Sequence, residues 1–228
     1  MSIIPPKQDS PSAQRNKEPI WQFLSSEVLT SPGSSKDYRV LEVATGAGVH
    51  TDYFAPKFAE ALKDKSCSWY PSDPEQESLD SIQCYINDGN LGSIVKPPCV
   101  LTLDENGIME KETTALLDGL EMDLMICINM IHISPWEATL GLLQEASKRL
   151  SDTGCLYCYG PYRENGTAVE SNIKFEGWLK SKDERFGLRD LEKVVNVAEE
   201  NGLKLVKKIE MPANNLSLVF QKASAAQN

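Results

Sequence analysis

Apolar residues recur along this chain in two rhythms. Ile20, Phe23, Leu24, Val28 and Leu29 fall at helical spacing and predict an amphipathic helix over about residues 17–29. Beyond them, short apolar runs alternate with helical stretches. Strands are predicted at 39–44, 66–70, 99–103, 123–128, 154–159, 204–211 and 216–221. Helices are predicted at about 51–64, 74–87, 111–119, 135–150, 172–180 and 188–201. Such alternation argues for an α/β fold, a doubly wound sheet with helices on both faces. Only Pro212-Ala213-Asn214-Asn215 joins the last two strands, too little for a crossover helix, so strand seven runs antiparallel to an otherwise parallel sheet.

At 228 residues and 41% hydrophobic, the chain can bury a core as one domain, placed at 15–222. Residues 1–14, rich in Pro, Ser and Gln, read as a mobile arm, Ser31–Ser35 as a loop, and 223–228 as a mobile tail. A net charge of -10 disfavours binding to a nucleic-acid backbone, which needs clustered Lys and Arg. Several of the six cysteines sit in apolar runs, and the one pair at CxxC spacing, Cys155 and Cys158, falls on a predicted strand, which points to a reducing, cytoplasmic setting and suggests no metal site. Cys155 and Cys158 lie on one predicted strand at odd spacing, so their side chains point to opposite faces. The N-terminus lacks the apolar core of a signal peptide, and the longest apolar run, 124–133, is too short to span a membrane.

Chemistry concentrates at the carboxyl ends of the strands, where open α/β sheets bind ligands. Val40-Leu41-Glu42-Val43-Ala44-Thr45-Gly46-Ala47-Gly48 reads as a buried strand entering a glycine turn that lets backbone approach a nucleotide-like ligand. The next strand ends contribute Asp73 and Asp104, strand four Asn129 and His132, strand five Tyr159, Gly160 and Tyr162, and the last hairpin Asn214 and Asn215. This set suits S-adenosylmethionine. Asp73 can accept both ribose hydroxyls, and Asp104 can accept from the adenine amine. Glu42 and the carbonyl near Asn129 are acceptors for the methionyl ammonium. Each residue also has a plainer use. Asp73-Pro74-Glu75-Gln76 and Ser134-Pro135-Trp136-Glu137 both fit helix starts with capping boxes, and Asn214-Asn215 fits a turn. His132 could be a satisfied core histidine. A nicotinamide dinucleotide is the rival ligand, but Thr51 stands where its fingerprint needs a third glycine.

A doubly wound sheet closed by an antiparallel hairpin is the arrangement of class I methyltransferases. The chain resembles the family of methyltransferase-like protein twenty-six over about residues 11–222. The most specific matching runs are Asn129-Met130-Ile131-His132-Ile133-Ser134-Pro135-Trp136-Glu137-Ala138 and Met211-Pro212-Ala213-Asn214-Asn215-Leu216-Ser217-Leu218-Val219-Phe220. The resemblance implies a seven-stranded Rossmann-like fold and an S-adenosylmethionine site, with Arg15 reaching the methionyl carboxylate. It leaves the acceptor, a small molecule or a protein, and the oligomeric state undefined. Two positions depart from pattern. Ala44 stands where class I proteins often have glycine, acceptable at negative φ, and Val49 stands where relatives carry Gln. For methyl transfer, His132 is the first choice of base, followed by Tyr162 and His50. The polar segment 160–187 is long enough for a lid, which Arg163, Asn172, Phe175 and Trp178 could line. The alternatives are a methyltransferase-like module that binds cofactor without catalysis, and an NAD-dependent oxidoreductase.

Overall fold

A computed structural model describes residues 7–29 and 36–223. The loop read at 31–35 and most of the predicted arm and tail, residues 1–6 and 224–228, lie outside the described residues. Seven strands build one sheet: β1 (Asp37–Val43), β2 (Ser66–Asp73), β3 (Cys99–Val100), β4 (Met122–Ile128), β5 (Leu150–Gly160), β6 (Leu203–Met211) and β7 (Asn215–Lys222). Their order is β6-β7-β5-β4-β1-β2-β3. The β5/β4/β1/β2/β3 ladder is parallel, while β7 is antiparallel to both its neighbours, as the short last connection requires. This is the expected Rossmann-like doubly wound arrangement.

The helices are α1 (Pro11–Phe23), α2 (Val49–Leu62), α3 (Gln76–Asp88), α4 (Lys111–Leu116), α5 (Trp136–Arg149), α6 (Glu170–Lys182) and α7 (Leu191–Glu200). Strand alternation divides the core in two. Leu124, Ile126 and Ile128 of β4 face α1, α2 and α3, packing with Phe23, Phe58 and Ile82. Met125 and Cys127, between them in the sequence, face α5 and α7 with Leu142 and Val194. Cys155 and Cys158 part to opposite faces in the same way. Around Phe58, Trp69 of β2 packs edge-on at 5.4 Å, Trp21 edge-on at 5.6 Å and Tyr38 at 6.1 Å. Among the described residues, no helix is long and apolar enough to cross a membrane.

Two elements differ from the sequence expectation. The first helix begins at Pro11, not near residue 17, so part of the predicted arm is helical. Ser10 caps it by accepting from the Ala13 amide, and Pro11 at the first position brings a preset φ and no orphan N–H. Residues 24–28 continue it as a π-helical turn. The third strand pairs with β2 only at Cys99–Val100. The chain then folds into a small hairpin, Leu103–Asp104 against Gly107–Ile108, which packs on α5. A Cβ on Gly141 would lie 2.0 Å from the Asp104 carbonyl oxygen, so this packing requires glycine.

Phe58→Ala should lower unfolding free energy by about 3–5 kcal/mol, because it opens a void under three aromatic rings. Urea titration followed by circular dichroism measures this. A loss under about 1 kcal/mol would show that the aromatic cluster is not the keystone of that face.

Candidate functional site

The site begins with a buried carboxyl. Glu42 accepts hydrogen bonds from Thr51 Oγ1 of α2 at 2.6 Å and from Trp69 Nε1 of β2 at 2.8 Å. Burial pushes its pKa up to about 7, against the pull of those two donors, and nearby Asp73 pushes the same way. Its backbone carbonyl accepts from Ser72 Oγ at 2.8 Å and Thr45 Oγ1 at 3.2 Å. Glu42 therefore stands behind the glycine turn and does not line the cleft in front of it, contrary to its expected role as an ammonium acceptor.

The turn is held in left-handed backbone. Gly46 has φ 64° and Gly48 φ 101°. Gly48 starts α2 against α3, where a Cβ would meet Tyr85 and Ile82 at 3.0–3.1 Å; it supports the turn from below without lining the cleft. A Cβ on Gly46 would meet nothing within 4 Å, so the space before it is open. Ala44 has φ 53°, which corrects the expectation of negative φ and leaves a methyl group where glycine would be unstrained. The Gly46 amide donates to Asp73 Oδ2 at 2.8 Å, and the Glu75 amide donates to Asp73 Oδ1 at 3.1 Å. Asp73 is thus aimed at the turn. It is not the helix cap, because α3 starts two residues beyond the predicted site, after Glu75. Ser134 likewise bonds back to the Met130 carbonyl, and Pro135 takes the cap position of α5.

Two clefts meet here. The first, about 420 Å³, is lined by Ala44, Gly46, Asp73, Glu75, Val49 and Asn129, with Ser10, Ser12 and Ala13 of the α1 end across from them. Among the described residues, no Lys or Arg lines it. The second, about 570 Å³, is lined by Arg15, His132, Tyr159, Asn172, Phe175 and Trp178, among others. Asn129, Ile133 and Ser12 line both. Asn129 sits at the end of β4 with φ 61°, its amide bonded to the Tyr159 carbonyl at 2.8 Å. Asparagine is one of the few side chains at ease in that conformation.

His132 is buried beneath the second cleft. It meets Phe175 edge-on at 5.6 Å, and a Cβ on Gly160 would press on its ring at 3.0 Å. Burial, helped by Arg189, drives its pKa down to about 3. His50 lines the first cleft, bonds Asn16 Oδ1 at 2.8 Å and stacks on Phe54 at 5.3 Å. Burial, with Lys17, lowers it also to about 3. Both imidazoles are neutral at ordinary pH.

Several expected residues lie elsewhere. Asp104 is drawn into the hairpin on α5, where its Oδ1 accepts from the Asn106 amide at 2.7 Å, and it lines neither cleft. Tyr162 is buried in the core facing α7, and burial raises its pKa well above the usual phenol range, which removes it as a base. Arg163 pairs with Glu176 and leaves the second cleft to Asn172, Phe175 and Trp178. Arg15 lines the second cleft and not the first. Ser10, Ser12 and Ala13 were hidden in the predicted arm; Ser10-Pro11, an N-cap followed by a first-turn proline, was the signal that places them on a helix.

Across residues 7–222 the chain matches a family described as Protein of unknown function (DUF938), and it belongs to that family. Its fold is shared with an O-methyltransferase family protein from Burkholderia thailandensis at a TM-score of 0.69 and 13% identity, covering 94% of this chain and 58% of that one. The pyocyanin biosynthetic protein PhzM superposes at 0.62 with 15% identity, covering 93% of this chain and 59% of PhzM. An O-methyltransferase family 2 protein from Planctomyces limnophilus, solved in complex with apigenin, superposes at 0.61 with 15% identity, covering 92% and 61%. This chain thus spans about three-fifths of the length of each, and at these identities the likeness shows the class I methyltransferase-like fold.

Ala44→Gly should raise stability by up to about 1 kcal/mol, a melting shift of roughly 2–4 °C, by relieving left-handed alanine. An unchanged or lower melting temperature would contradict strain at that turn. Glu42 has a folded pKa near 7, above its ordinary 4.5, so its contribution is full below about 4.5 and is lost as pH rises through 7. Glu42→Gln, neutral throughout, should therefore gain melting temperature relative to the parent chain between pH 5 and pH 8. Comparing variant and parent at each pH cancels the opposite contribution of His50 and His132, whose stabilisation holds above about 6.5 and fades toward 3.

Proposed function

We propose that this DUF938 chain is an S-adenosylmethionine-dependent methyltransferase acting on a small-molecule or protein acceptor in the second cleft. The observation that carries the reading is the seam at Asn129, where one cleft opens into the other. The first cleft offers Asp73, Glu75 and the amide of Asn129, with no cation among its lining residues. That donor set suits a ligand with hydroxyls and positive charge. It opposes a dinucleotide, whose pyrophosphate would face two carboxylates without a balancing Lys or Arg. Thr51, at the fingerprint's third glycine position, is fully buried on Glu42. The long runs at Asn129–Ala138 and Met211–Phe220 also support placement with the methyltransferase-like protein twenty-six family.

S-adenosylmethionine supplies a sulfonium methyl group already activated toward a nucleophile. Asp73 would hold the ribose hydroxyls, and the open turn at Gly46 would let backbone reach the methionyl part. Asn129, its side chain making no hydrogen bond among the described residues, is placed to align donor and acceptor. His132, neutral, accepts the hydrogen of an acceptor O–H or N–H and fixes the direction of its lone pair. His132 would take the hydrogen that the acceptor loses as the methyl group is given up, the electrons of the sulfur–carbon bond returning to sulfur. Positioning of this kind contributes ~7–11 kcal/mol in favourable cases. The low pKa of His132 is also what favours a second reading, a cofactor-binding module without transfer, because a general base works best near the operating pH.

Titration calorimetry with S-adenosylhomocysteine should give saturable heat that Asp73→Ala removes; no heat and no thermal shift at millimolar ligand would sink the proposal. With methyl-labelled cofactor, fractionated extract should contain an acceptor whose labelling falls by roughly 10²-fold or more in His132→Gln while homocysteine-product affinity holds. A protein that binds the product but labels no fraction selects the binding-module reading.

A further inference from the structure

The second cleft carries information about its occupant that the methyltransferase reading alone does not. Phe175 and Trp178 on α6 stack with nearly parallel planes, 16° apart with centroids at 5.8 Å, and His132 stands edge-on to Phe175. Trp178 is 53% exposed and Ile133 44% exposed, although both line the cleft, so apolar surface is held open at its mouth. A volume of about 570 Å³ falls in the range of small-molecule sites, about 300–1,000 Å³.

Charge narrows the choice further. Among the described residues, Arg15 is the one cation lining this cleft, and no Asp or Glu lines it. Arg15 makes no ion pair or hydrogen bond through its side chain within the described residues. It projects from a helix whose next residue, Asn16, is buried and bonded to His50, so the base of the arginine is fixed while its guanidinium is free. In a chain of net charge -10, an unpaired arginine facing an apolar, acid-free cleft is a local reversal of sign.

We infer that the second cleft binds a small planar aromatic acid, its ring against Phe175 and Trp178 and its carboxylate on the Arg15 guanidinium. This deepens the proposed methyltransferase reading by giving the acceptor a chemical class, and it assigns Arg15 to the acceptor, not to the cofactor. A carboxylate is matched by the planar fork of arginine, and flat rings by the offset aromatic pair.

The test is calorimetric titration of the full chain, with and without saturating S-adenosylhomocysteine, using benzoate, para-hydroxybenzoate and naphthoate, each beside its own neutral amide. At least one acid should bind about tenfold more tightly than its amide, the worth of one charge-assisted hydrogen bond. Arg15→Gln, a change at an exposed position, should erase that ratio and leave S-adenosylhomocysteine affinity unchanged. Trp178→Ala should weaken acid and amide alike. Equal affinities for acids and amides, or no acid binding at millimolar concentration, overturn the inference. So does loss of S-adenosylhomocysteine affinity in Arg15→Gln, which would return the arginine to the cofactor. Failure of S-adenosylhomocysteine to bind the parent chain instead strikes the methyltransferase reading, while the acid-to-amide ratio measured without it still decides the occupant of the cleft.

Discussion

Everything at the strand ends depends on how one carboxyl group is buried. Glu42 joins three elements: its own strand, the first turn of α2 through Thr51, and β2 through Trp69. With its backbone carbonyl also held by Ser72 and Thr45, the chain has one way to leave β1. The turn must then rise over a fixed base, and its Gly46 amide meets Asp73. A hydrophobic residue at position 42 would avoid the desolvation that lifts this carboxyl to about 7, but it would leave the Trp69 indole N–H and the Thr51 hydroxyl without their acceptor in the core. The cost of burying the acid is offset by the order it imposes on three neighbours.

That order produces a division of chemical character over a short distance. The first cleft has acids and amides and no cation; the second has a cation, amides and aromatic rings and no acid. Asn129 stands between them in left-handed backbone. The two sides thus differ in electrostatic character over a short distance, in a chain whose overall charge is negative.

The sheet was legible because its signals are local and redundant. Most strands are apolar runs closed by turn residues, and the four-residue link 212–215 dictates the antiparallel β7 without any knowledge of packing. The glycine turn, Asp73, Asn129 and His132 were legible as strand-end residues, since topology brings all strand ends to one edge. What escaped depends on tertiary placement. Asp104 reads as a strand end, yet Asp104-Glu105-Asn106-Gly107 makes a tight hairpin that is drawn onto α5 by the bare backbone of Gly141. Tyr162 lies only two residues past the end of β5, but its ring turns into the core. At Ala44 the glycine that class I proteins often carry was the one hint of positive φ, because alanine in that conformation is set by the neighbouring bonds and not by its own preference.

The two clefts also differ in which parts of the chain build them. The walls of the first come chiefly from strand ends and the turns between them, which cannot move without disturbing the sheet and Glu42. The second is walled on its open side by α1, α6 and the last hairpin, none of which lies inside the parallel ladder. Substitutions there alter shape and charge around an occupant while the sheet stays intact. The seam at Asn129 is therefore also a boundary of tolerance: on one side change is paid for in folding, and on the other it is free to become new chemistry.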